Sequence, residues 1–208
     1  MKILAIGAHF DDVELGCGGS LLSWKKEGHS RTIFTATRSG YKDPQGHIIR
    51  TDQTAREEGF RAAKFLGAEL ITADFPTLEL EFSEPLNCKL IEVLQQVKPD
   101  LVLTHWMGDA HHDHRALALA SLHCCRNVPK FLTYRVNWYE GREHFDPRFL
   151  VDISETLEQK IELIKIYESE NHRTHETWLD FVQSQARTMG LKAGVRFAEG
   201  FEVIKWRM

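Results

Sequence analysis

Residues 2–14 read Lys2-Ile3-Leu4-Ala5-Ile6-Gly7-Ala8-His9-Phe10-Asp11-Asp12-Val13-Glu14. The run from Lys2 to Ala8 is short and nearly all apolar, the composition of a strand covered on both faces in a parallel sheet. Within one step it gives way to a histidine and three acids, so a polar cluster begins where the strand ends. Working outward, residues 18–27 are predicted as a helix, and Thr32 to Thr37 as a second strand. The stretch holding Gly40, Pro44 and Gly46 cannot build a core and is expected as a loop. From Asp52 to Leu66, the positions Ala55, Gly59, Ala62, Ala63 and Leu66 fall on one helical face, with Gly67 placed to end the helix. A strand at Leu70-Ile71-Thr72, a helix from Leu86 to Val97 closed by Pro99, and a strand over Leu101–Thr104 follow. Such alternation implies right-handed crossovers and a single Rossmann-like α/β domain over residues 1–208, a mainly parallel sheet flanked by helices. Ligands of such sheets bind at the carboxyl ends of the strands. The last third is less regular, with strands expected at 131–136, 149–153 and 201–206 and helices at 155–168 and 176–189.

Composition narrows the function. A length of 208 residues with 42% hydrophobic content suits one compact core. A formal net charge of −4 without a Lys/Arg block gives no footprint for nucleic acid or an acidic membrane face. No apolar run approaches the ~20 residues of a membrane span, and the start of the chain leads into His9 rather than a cleavage site, so a cytoplasmic protein is expected. Cys17, Cys88, Cys124 and Cys125 show neither a CxxC pair nor a disulfide framework and are expected as reduced thiols, mostly core filling.

A second polar cluster, His105-Trp106-Met107-Gly108-Asp109-Ala110-His111-His112-Asp113-His114, follows the strand at 101–104. If the two strands are parallel neighbours, their carboxyl ends bring both clusters together. Catalytic zinc takes three imidazole or carboxylate ligands and leaves a position for water; His9, Asp12 and His114 supply that set. The metal would lower the pKa of its water towards ~7, and Asp11 beside ligand Asp12 is the natural general base. A histidine held protonated by a carboxylate could stabilise the oxyanion and protonate the departing amine; His111 with Asp113 fits.

Other readings stand beside these. Asp11, Asp12 and Glu14 could simply cap a helix and complement its dipole. Gly16, Gly18 and Gly19 match neither a dinucleotide fingerprint nor a P-loop and are read as permitting close packing at the metal. His105 and Asp109 either orient metal ligands or satisfy loop backbone. Trp106, Trp138 and Tyr139 could stack on a sugar or pack in the core. Two histidines and a carboxylate also form the iron(II) facial triad, so iron(II) is the alternative metal and a redox enzyme an alternative activity. A non-catalytic domain binding a nucleotide-like ligand or a sugar is a further class.

The two motifs together resemble the PIG-L/LmbE-like family of metal-dependent N-deacetylases. The resemblance extends through Ala62-Ala63-Lys64-Phe65-Leu66-Gly67, through Val151-Asp152-Ile153-Ser154 ahead of a Lys-containing helix, and to Phe197-Ala198-Glu199-Gly200-Phe201. It implies zinc on His9, Asp12 and His114, Asp11 as general base, and His111 as general acid and oxyanion stabiliser tuned by Asp113. It also implies a small-molecule substrate: removal of acetyl from an N-acetylated amino sugar, often an N-acetylglucosamine conjugate, in surface-glycan, antibiotic or small-thiol precursor synthesis. A non-sugar N-acyl or thiol conjugate is the alternative amide, and a homo-oligomer is compatible with the pattern. The sequence departs from the family in three places. Phe10 stands where proline is usual, Glu170 where glutamine is commoner, and the family's helical arginine, a substrate contact, is matched only loosely by Arg56.

Overall fold

The computed structural model describes residues 1–139 and 143–207. In chain order the elements are β1 (Lys2–Gly7), α1 (Asp12–Lys26), β2 (Ser30–Thr37), β3 (Tyr41–Lys42), β4 (Ile48–Arg50), α2 (Asp52–Leu66), β5 (Glu69–Phe75), α3 (Glu84–Val97) and β6 (Leu101–His105). Then come α4 (His112–Cys124), β7 (Lys130–Tyr134), β8 (Phe149–Asp152), α5 (Leu157–Lys165), α6 (Glu168–Arg173), α7 (Thr177–Ala193) and β9 (Ala198–Trp206). Seven strands form one sheet in the order β5-β2-β1-β6-β7-β9-β8. The first five are parallel; β9 runs antiparallel to β7 and β8. The expected parallel α/β fold is what forms.

Strand β1 is buried on both faces because its side chains alternate between two cores. Ile3 and Ala5 pack with Leu21, Leu66 and Leu163 on one side, while Leu4 and Ile6 meet Phe34, Leu90 and Leu117 on the other. Each fully buried Leu or Ile is worth roughly 1.5–3 kcal/mol, which explains why this run carries no polar residue until the sheet ends. β1 pairs with β6 in register Ile3↔Leu101, Leu4↔Val102, Ala5↔Leu103. The chain winds one way from β1 through β2 to β5 and the other way from β6 to β7. The switch point therefore lies between β1 and β6, and the crevice beyond their carboxyl ends is where such sheets bind ligands.

Several elements differ from expectation. α1 begins at Asp12, six residues before the predicted start, because its first turn is acidic rather than apolar, which suits a helix N-terminus. It kinks at Cys17 (φ −145°). The amides freed there, Gly19 N and Ser20 N, donate to the Glu199 carboxylate at 2.9 and 2.7 Å, and Lys160 Nζ donates to Leu15 O at 2.7 Å and to Glu199. Gly16 and Gly19 do allow close packing, but against the sheet and its neighbours rather than the metal site. A Cβ on Gly16 would lie 2.1 Å from the Tyr134 ring, and one on Gly19 2.9 Å from Ile153. Segment 38–51, expected as loop, holds the β3–β4 hairpin, whose strands of two and three residues are too short to show a period. The helix expected at 155–168 is two, α5 and α6, and α7 runs on to Ala193. Cys17 and Cys125 fill core, Cys124 is half-buried, and Cys88 is exposed. Among the described residues no helix is long and apolar enough to cross a membrane.

Candidate metal and catalytic site

The switch point gathers both polar clusters. His9 Nδ1 and His114 Nε2 are 3.3 Å apart, His114 Nε2 is 3.2 Å from Asp12 Oδ1, and His9 Nδ1 is 3.4 Å from Asp12 Oδ2. A tetrahedral zinc with bonds of about 2.0–2.1 Å separates neighbouring ligand atoms by about 3.3 Å. The two histidine nitrogens thus stand at that separation, each with one Asp12 oxygen at a similar distance, and all three residues line a cavity of about 320 Å³. The remaining nitrogens of both rings face carboxylates. His9 Nε2 donates to Asp113 Oδ2 at 2.8 Å, and His114 Nδ1 lies 3.1 Å from Asp109 Oδ2. These are the carboxylate–histidine supports typical of metal sites. His105 Nε2 is 3.1 Å from Asp12 Oδ2, and its ring stacks on His114 with centroids 3.9 Å apart and planes at 13°. Lone pairs of two parallel rings do not converge on one ion, so His105 and Asp109 brace the ligands instead of forming a second centre with His114.

The electrostatics agree with a site shaped for a cation. Burial works against the charged form of His9, but Asp12 and Asp113 outweigh it and raise its pKa to about 10. His114 is raised to about 9 against the same burial, chiefly by Asp12 and Asp109. Asp12 is held well below the usual carboxylate range, its burial overcome by His114, His105 and His9. In metal-free protein, protons neutralise the acid cluster; a dication would displace them.

Asp11 sits at the N-terminus of α1 with φ 125°, a conformation costly for any residue but glycine and one that recurs at functional sites. It is fixed from behind by Arg50, which is almost fully buried. Arg50 Nη1 donates to Phe10 O at 3.2 Å and to Asp11 Oδ2 at 3.1 Å, and Nη2 donates to Glu58 Oε2 at 2.8 Å. Burial raises the Asp11 pKa well above normal despite Arg50, and Asp12 and Glu170 add to the rise. Phe10 reaches under α2 because residue 59 is glycine; a Cβ there would lie 2.1 Å from the Phe10 ring.

Sequence reasoning paired Asp113 with His111, and the structure does not. The Asp113 carboxylate is taken by His9 and by the amides of Leu78 and Leu80. His111 is instead the N-cap of α4, its Nδ1 accepting from Asp113 N at 3.2 Å. That bond fixes the tautomer with the proton on Nε2. In the metal-free protein burial, then the charges of His114 and His9, depress its pKa to about 4, so His111 is neutral there. Arg56 is also misplaced by the sequence reading. It pairs with Asp74 at the protein surface, 2.6 Å away, and does not line the cavity. The arginine that does is Arg50, brought in by a hairpin with no period to betray it. Trp106 is buried core, whereas Trp138 and Tyr139 line the cavity.

Comparison with known proteins points the same way. The sequence profile of the PIG-L family, described as GlcNAc-PI de-N-acetylase, matches residues 4–125. The chain is 25% identical to the diacetylchitobiose deacetylase of Thermococcus kodakarensis over 98% of its own length and 83% of that protein. Its fold superposes on the conserved protein TT1542 of Thermus thermophilus with TM-score 0.81 and 27% identity, covering 100% of this chain and 96% of the other. The N,N'-diacetylchitobiose deacetylase of Pyrococcus horikoshii shares the fold at TM-score 0.81 and 24% identity, over 97% and 83% of the two chains. The profile spans both polar motifs and more than half of the sequence, and the chain belongs to the PIG-L, GlcNAc-PI de-N-acetylase, family.

Proposed function

We propose that this protein is a zinc-dependent N-deacetylase that removes acetate from an N-acetylated amino sugar of the N-acetylglucosamine type. The carrying observation is the cluster of His9 Nδ1, His114 Nε2 and the two Asp12 oxygens, with separations of 3.2–3.4 Å, set beside Asp11 and His111 on one cavity. At about 320 Å³ the cavity lies at the lower end of the ~300–1,000 Å³ of small-molecule sites. The diacetylchitobiose deacetylase relative supports an acetamido sugar as the substrate class. Bound by His9, Asp12 and His114, zinc would supply Lewis acidity and lower the pKa of a water to near 7.

The remaining roles fall to side chains of the chain itself. Asp11, held by Arg50, accepts a proton from the attacking water, and its raised pKa lets it keep that proton through the addition step. Neutral His111 presents Nε2–H to the developing oxyanion, its geometry set before reaction by the N-cap bond, so little reorganisation is needed. The leaving nitrogen then takes the proton carried by Asp11, which lines the same cavity.

The test is acetate release by zinc-loaded protein from free, lipid-linked, nucleotide-linked and thiol-precursor conjugates of N-acetylglucosamine, with Asp11→Asn as control. Asparagine keeps the shape of the side chain and removes its basicity. Expected is a loss of at least about 100-fold in kcat with metal retained. Undiminished turnover in the control would remove Asp11 from the base role, and silence across the panel with metal bound would point to a different amide.

A further inference from the structure

Among the residues that line the cavity are aromatic Trp138, Tyr139 and Trp178 and the hydrogen-bonded set Tyr41, Glu170 and Arg173. Glu170 is only 3% exposed. Its Oε1 accepts from Tyr41 Oη at 2.9 Å, and its Oε2 accepts from Arg173 Nε at 2.8 Å and Nη2 at 2.5 Å. An ionised carboxylate has about four acceptor positions, so one remains on Oε1. Arg173 spends two of its N–H groups on Glu170, and among the described residues its Nη1 has no partner. No step of hydrolysis as derived above passes through these three residues, although Glu170 adds to the rise in the Asp11 pKa. They stand close to it, since Tyr41 lies opposite Arg50 in the β3–β4 hairpin and Arg50 holds Asp11.

Burying a carboxylate is costly unless its hydrogen bonds are filled, and Glu170 keeps one acceptor open where it lines the cavity. Arg173, an exposed side chain that lines the same cavity, has donors to spare. An alcohol donates to such a carboxylate and accepts from such a guanidinium.

We propose that Glu170 and Arg173, with Tyr41 as the strut that fixes the carboxylate, form a hydroxyl-reading subsite. It selects acetamides bearing a free hydroxyl on the ring carbon next to the acetamido carbon. This inference rests on the deacetylase reading and narrows its substrate class. Sharing one cavity with Asp11, the subsite meets a hydroxyl beside the reacting amide.

The experiment compares wild type with Glu170→Gln and Tyr41→Phe, zinc-loaded, on an N-acetylglucosamine glycoside and its 3-deoxy analogue. It follows kcat and KM for acetate release, and the Kd of the corresponding free amines by calorimetry. Hydrogen bonds to charged groups correspond to about 10- to 100-fold in binding. Expected for Glu170→Gln is a KM rise of that order on the 3-hydroxy substrate with kcat within about threefold, shrinking to within about threefold on the 3-deoxy analogue. Tyr41→Phe keeps both charges and should show the same dependence on substrate with smaller size. Equal losses on both substrates, or a wild type indifferent to the 3-hydroxyl, would overturn the subsite. If wild type releases no acetate from either compound, the deacetylase reading falls and amine binding decides. A Kd that depends on Glu170 only when the 3-hydroxyl is present upholds the subsite, and a Kd that ignores it removes the subsite too.

Discussion

At the scale of single residues, the site is built from side chains that each do two structural jobs before any chemistry. His111 caps α4 and so acquires a fixed tautomer; Asp113 ties the chain at Leu78 and Leu80 and also orients His9. Adjacent residues in the sequence invite pairing, which is why His111 and Asp113 read as partners. Their polar atoms do come within 4.8 Å, but the Asp113 carboxylate is taken by His9, Leu78 and Leu80, and His111 Nδ1 by the Asp113 amide. The consequence is measurable. Asp113→Asn weakens the support of a metal ligand and should lower zinc affinity about 10- to 100-fold in chelator competition. A partner of His111 alone would change kcat and leave zinc affinity intact, and that result would return Asp113 to the role expected from the sequence. Arg50 shows the opposite limit of legibility. Its identity is plain in the sequence, but nothing in the polar run around it says that the side chain is almost fully buried behind Asp11.

At the scale of elements, α1 presents the active-site end of β1 and is itself broken at Cys17. The break is held by a buried pair, Lys160 from α5 and Glu199 from β9, that satisfies groups a continuous helix would have bonded internally. Both residues lie in stretches that carry the family resemblance, yet their meeting 39 positions apart is visible only in three dimensions. Removing one partner of a buried ion pair strands the other charge, at a cost of about 3–5 kcal/mol. Glu199→Gln should therefore destabilise the protein by that order in urea unfolding, with the unfolding slope unchanged. A loss under 1 kcal/mol would mean that the kink needs no carboxylate.

At the scale of the whole molecule, the sheet order brings two motifs about a hundred residues apart together at one candidate metal site, so a metal bound there would add to global stability. Zinc at 1,000 times its Kd adds about 4 kcal/mol, or roughly 8–16 °C in Tm for a domain of this size. Chelation should reverse that shift, and an unchanged Tm would place the metal elsewhere. The sign with pH follows from the raised histidines. With folded pKa values of about 10 for His9 and about 9 for His114 against an unfolded value near 6.5, their contribution is fully present below pH 6.5 and is lost as pH rises through 9–10. Metal-free protein should thus lose stability between those limits. Zinc affinity should rise with pH as the two protons become easier to displace, a release seen by calorimetry in buffers of different ionisation enthalpy. By itself the sequence determined the parallel α/β fold, the two motifs and their family, because local periodicity and the choice of metal-binding residue types are properties of adjacent positions. Only the tertiary structure decided which carboxylate serves which histidine, that Arg50 rather than Arg56 reaches the cavity, and that Glu170 faces it. Those depend on side-chain direction and burial, set when elements distant in the chain pack together.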